Sequence, residues 1–151
     1  MVGEFTGKFD REILKSHLVD PAQQQREREQ REQQRLEQEL HQIGKIIDHR
    51  RKFLLERFAN ALADEETPPP GVPGMALRFE PDGVLRKAKF VLRARPNDSR
   101  LAIVIEARYE IAGLQHPSYD YITLPVTQVD LERARRFIEA KLIDFARAYV
   151  G

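Results

Sequence analysis

Five side chains capable of acid, base or nucleophile chemistry fall within six residues of this chain: His116, Ser118, Tyr119, Asp120 and Tyr121. A His beside a Ser and an Asp is the residue set of a hydrolytic triad, in which the imidazole takes the hydroxyl proton and the carboxylate orients the ring. That chemistry needs the three groups to converge, usually from separate segments, opposite a pair of oxyanion donors. Neighbours in an extended stretch point to opposite sides, and no Gly-rich nucleophile elbow surrounds the Ser. No catalytic residues are assigned. The segment reads as a loop entering an edge strand, with His116, Tyr119 and Tyr121 marking where a small ligand or an enzyme's substrate would bind. This is the third of three functional readings.

The other candidates are weighed in the same way. His41, Asp48 and His49 lie on one helix, but the two His are eight residues apart, about two turns. Two His bind one metal from a helix at a spacing of four, so no metal site is expected. The chain has no Cys, which removes disulfides and thiolate ligands, and no cofactor motif is present. Lys87, Lys89, Arg93, Arg95 and Arg108 fall on the wet face of an alternating sheet, with Arg86 and Arg100 nearby. Such a face can track phosphates. Val91, Ala102 and Val104 share it where nucleic-acid sheets place stacking aromatics, and Glu106 and Glu110 dilute its charge. Nucleic-acid association is the second reading.

The elements that position these residues begin with a long helix. Asp20-Pro21 is a start signal, because Asp accepts from orphan amides and Pro has none to lose. From Ala22 to Leu40 the chain holds seven Gln, five Glu and four Arg in 19 residues, a composition that makes an exposed helix and no core. An apolar stripe starts at Leu36 and runs through Leu40, Ile43, Ile47, Leu54, Phe58 and Ala61 at helical spacing. Arg50 and Arg57 occupy seam positions and argue against a long regular coiled coil. The helix is expected to reach Ala63, with residues 46–63, including Phe53 and Leu62, docked on a globular domain and residues 20–45 projecting. Since one small sheet does not cover residues 36–45, Leu36, Leu40, Ile43 and Ile47 are expected to form an interface with a second copy or another helical protein. A protein–protein assembly module, homodimeric through this helix, is therefore the first functional reading.

Residues 1–19 read as a separate segment, a short amphipathic anchor, and the Pro-rich run at 67–74 as a stiff linker. Strands follow at 75–80, 84–95, 101–111 and 119–124, the two longest alternating strictly, so the sheet is antiparallel with one wet face. A turn at Pro96–Ser99 would set Phe90 beside Ile105 and Lys89 beside Glu106, with Leu101 facing inward. Thr127, with Asp130, is expected to cap a last helix whose buried stripe is Leu131, Ala134, Ile138, Leu142, Phe145 and Tyr149. The fold class is α+β, in the order α-β-β-β-β-α: a long N-terminal helix, a four-stranded antiparallel sheet, and a C-terminal helix packed on one face, with the globular domain at 46–151. This layout, with the loop LQHPSYDYITL at Leu114–Leu124, resembles that of ubiquitin-conjugating-like and RWD-type domains. The resemblance implies a fold only, since the Cys that conjugation requires is absent.

Charge is nearly balanced, at −2 over residues 1–66 and +3 over the remainder, too little for a strong electrostatic footprint. No apolar stretch approaches a membrane span, so no membrane association is expected, and the cytoplasm is the default compartment.

Overall fold

The computed structural model describes residues 20–63 and 72–151; the expected N-terminal anchor and most of the Pro-rich linker lie outside them. Helix α1 spans Pro21–Arg57. Asp20 caps it as expected: its carboxylate accepts from the Ala22 amide at 3.1 Å, and its carbonyl accepts from Gln23 and Gln24. The described chain divides into two units between Arg35 and Leu36. In the first, the described helical residues are exposed, apart from a half-covered Gln33.

The second unit is an antiparallel sheet with helices on one face. Its strands are β1 (Ala61–Ala63), β2 (Gly74–Phe79), β3 (Ala88–Pro96), β4 (Ala102–Ile111) and β5 (Ser118–Pro125), paired in sequence order. Helix α2 (Leu131–Val150) closes the chain. The sheet thus has five strands and not the four expected. The extra one is β1, taken from what reads as the end of the long helix because Phe58 and Ala61 continue the helical spacing. Asn60 ends that pattern. Its side-chain amide lies 2.7 Å from both the Glu80 carbonyl and the Tyr149 hydroxyl, while its own carbonyl accepts from the Glu80 amide. Asn gains more from such bonds than from continuing a helix. Strand alternation then points Leu62 outward, and Phe53 is 41% exposed with the Arg57 guanidinium over its ring, so neither docks on the core.

Leu36, Leu40, Ile43 and Ile47 are buried, in one cluster with Leu77, Phe79, Phe90, Leu92, Ile103, Ile105, Ile138 and Phe145. Residues 36–45 therefore belong with the globular unit and do not project from it. The chain preceding β2 helps cover them. A Cβ on Gly44 would lie 3.2 Å from Pro73 Cβ, and the Pro73 carbonyl accepts from Ala94 in β3. At the centre, Phe79, Phe90 and Phe145 are fully buried, and Phe145 stacks on Tyr149 with centroids 5.4 Å apart. The expected α2 stripe is buried except for a half-covered Leu131.

Two local expectations are corrected. The β3–β4 register sets Phe90 opposite Tyr109 and Lys89 opposite Glu110, while Ile105 and Glu106 face Ala94 and Arg93. The turn lies beyond Pro96: the Asn97 carboxamide oxygen accepts from Leu101 and Ala102, and Arg100 takes the left-handed φ of 61°. This leaves Leu101 in the loop, 66% exposed rather than inward. The displacement is an even number of residues, so every side chain of the paired strands keeps its expected face. The α2 cap is Asp130 itself, which accepts from the Arg133 amide at 3.1 Å; Thr127 sits in a 3-10 turn, Val126–Gln128.

Candidate binding face

Side chains alternate along each strand, so the residues between the core positions form a second, outward face. Register groups them into transverse rows. Arg78, Lys89 and Glu110 form the first row; Ala76, Val91, Arg108 and Tyr119 the second; Gly74, Arg93, Glu106 and Tyr121 the third; Arg95, Val104 and Thr123 the fourth. Tyr119 and Tyr121, which the sequence places in the last strand as part of a separate ligand-binding reading, stand on the same face as Lys89, Arg93, Arg95 and Arg108. They are 58% and 56% exposed, with ring centroids 6.1 Å apart. The period-two signal was available: Ile122 and Leu124 are core residues, so Tyr119 and Tyr121 must point the other way.

Five cations stand on this face or at its edge, counting Arg78, against Glu80, Glu106 and Glu110. Arg78 Nε lies 2.7 Å from Glu80, and Arg95 Nε 3.4 Å from Glu106. The Tyr119 hydroxyl donates to the other Glu106 oxygen at 3.0 Å. That bond, with partial burial and the Glu106 charge, raises the phenol's pKa above its ordinary value and keeps it a neutral donor. The face therefore presents exposed aromatic rings set into an ion-pair lattice with a cationic excess. Val91 is buried beneath these long side chains.

The remaining candidates are dispersed. Asp120 and Ser118 alternate onto the helix side of β5, where Lys141 of α2 pairs with the Asp120 carboxylate at 2.6 Å. The Lys141 ammonium and the Tyr121 amide hold the Asp120 carboxyl below its usual range, and Asp120 raises Lys141. His116 and Lys87 line a cleft at one end of the face and stand outside its rows. Arg86 donates to the Ala148 carbonyl of α2, and Arg100 is in the β3–β4 turn. His41, Asp48 and His49 are exposed on α1, and no group of three potential metal ligands occurs among the described residues. No described helix is long and apolar enough to cross a membrane.

Comparison with protein-family models, curated proteins and solved structures finds no match to this chain.

Proposed function

We propose that this protein is a non-catalytic binding module that holds single-stranded nucleic acid across the outward face of its sheet. The observation that carries the reading is the placement of Tyr119 and Tyr121, both exposed, in the rows that hold Arg93 and Arg108. Exposed rings give unpaired bases a stacking platform worth about 1–3 kcal/mol per base, and flanking cations track the phosphates between them. A duplex keeps its bases stacked inside and gains nothing from the rings.

The test is fluorescence anisotropy of a labelled oligo-dT or oligo-U strand, with a duplex of equal length beside it. The strand binds and the duplex binds more weakly. If three phosphates are neutralised, raising salt from about 50 to about 200 mM weakens strand binding roughly 20-fold, from a slope of about −0.7 per phosphate. The chain has four Tyr and no Trp, so stacking also quenches its intrinsic fluorescence directly. No anisotropy change with either strand at low salt overturns the reading.

A second reading, assembly through the long helix with a second copy or another helical protein, is favoured by the exposed Gln/Glu/Arg-rich residues of α1. Its contacts would be polar and local in origin, because Leu36, Leu40, Ile43 and Ile47 are already buried within the domain. Light scattering tests it: a dimer mass that falls to monomer when residues before Leu36 are removed supports it, and a monomeric full chain overturns it.

A further inference from the structure

The end of the outward face nearest the first row opens into a cleft of about 540 Å³, within the size range of small-molecule sites. Three cations line it, Arg78 and Lys89 from the first row and Lys87 from the segment before β3; Glu110 is its one carboxylate. The opposite wall is the loop after β4, which carries His116 and Pro117. Gly113 shapes that loop. It sits at φ +93°, in the left-handed region, and the Leu114 amide closes a turn onto the Ile111 carbonyl at 3.0 Å. Ala88, Ile111 and Leu114 supply apolar surface between the charged groups.

We propose that this cleft is a phosphomonoester site, and that it seats the terminal phosphate of the strand bound across the sheet. A terminal phosphate carries more charge than an internal diester, and the cleft that would seat it is lined by the Lys87 and Lys89 ammonium groups, the His116 imidazole and the Arg78 guanidinium, which also pairs with Glu80. The strand source rests on the reading of the sheet face, and register supplies the order of subsites. Arg78 and Lys89 of the first row border the cleft, Tyr119 stands in the second row and Tyr121 in the third. Rows two residues apart along a strand are separated by roughly 7 Å. A phosphate in the cleft thus precedes a base on Tyr119 and a second base on Tyr121. The face reads a phosphorylated strand end rather than an arbitrary stretch.

Binding of oligo-dT carrying a 5′-phosphate, a 3′-phosphate or neither, compared by anisotropy on the full chain, tests this. One of the two phosphorylated strands binds at least tenfold more tightly than the unphosphorylated strand, and the ratio falls to about one in the Lys87→Gln/His116→Gln variant. In parallel, thymidine 5′-monophosphate, unlike thymidine, shifts the His116 ring signal in proton NMR, assigned by its loss in His116→Gln. Equal binding of all three strands, with the Tyr119 and Tyr121 fluorescence quenched alike, overturns the terminal-phosphate role and leaves the sheet reading standing. If no strand binds, the sheet reading and the strand source fail together. A monophosphate-specific His116 shift then still supports a phosphomonoester site for a free nucleotide, and its absence overturns the site itself.

Discussion

Replacing Ile43 by Ala tests where the helix stripe is buried. Ile43 has no exposed surface and packs in the cluster that joins α1 to the strands and α2. Truncating a buried Ile to Ala costs about 2–5 kcal/mol, combining lost transfer energy with the cavity left by incomplete collapse. Against a total stability of roughly 5–15 kcal/mol, that is a large fraction. For a domain of this size, a loss of about 3 kcal/mol lowers Tm by roughly 10–20 °C. Urea unfolding followed by far-UV circular dichroism measures it, at about 2 and about 100 μM protein, because an intermolecular interface would make stability depend on concentration. The structure predicts a midpoint for Ile43→Ala that falls below wild type by the same margin at both concentrations. An unchanged variant midpoint, or a deficit that appears only at the higher concentration, refutes burial of the stripe within one chain.

Other perturbations follow from the same contacts. Deleting residues before Leu36 leaves a cooperatively unfolding domain, whereas deleting those before Ile46 also removes Leu36, Leu40 and Ile43 at about 2–5 kcal/mol each and abolishes the thermal transition. Asp130→Ala removes the α2 cap and lowers stability by about 1 kcal/mol in denaturant unfolding. Asp120→Asn removes the Asp120–Lys141 ion pair and with it the stability that the pair contributes between its acid and alkaline limits. With its folded pKa lowered, Asp120 contributes above its ordinary 3.8, and the contribution is lost as pH falls through the lower folded value. With its folded pKa raised, Lys141 contributes below its ordinary 10.5, and the contribution is lost as pH rises through the higher folded value. Because Asp120 is half exposed, the wild type exceeds the variant by no more than about 1 kcal/mol on the plateau between, and the two converge in acid.

The parts legible in the sequence are those governed by local chemistry. Asp20-Pro21 set the start of α1, and period-two alternation assigned the faces of β3 and β4 correctly even though the register was displaced. Register depends on the turn, and the Asn97 side chain draws that turn beyond Pro96 through bonds no periodicity reports. The β1 strand is hidden because Ala61 is apolar at helical spacing, while the bonds that hold Asn60 outside the helix are tertiary. The reach of the core into residues 36–45 is a tertiary property that helical spacing does not report: Pro73, in a linker with no pattern of its own, packs on α1 at Gly44, next to the buried Ile43. As for the candidate site, its cations were identified from alternation and its Tyr pair from composition. Joining them required the pairing of Arg108 with Tyr119 and of Glu106 with Tyr121. The cleft beside His116 could not be read at all, since it brings together residues from Arg78 to Pro117.

The most direct test of the central claim maps the bound surface. In a titration of the isotope-labelled chain with oligo-dT, followed by amide NMR, binding at the sheet face shifts Lys89, Arg93, Arg108, Tyr119 and Tyr121 together and leaves the exposed residues of α1 unmoved. Substituting Tyr119 and Tyr121 together by Ala, at positions whose side chains lie outside the core, removes most of that binding while the amide spectrum of the core is retained. Shifts confined to α1, or affinity unchanged in the double variant, contradict the account.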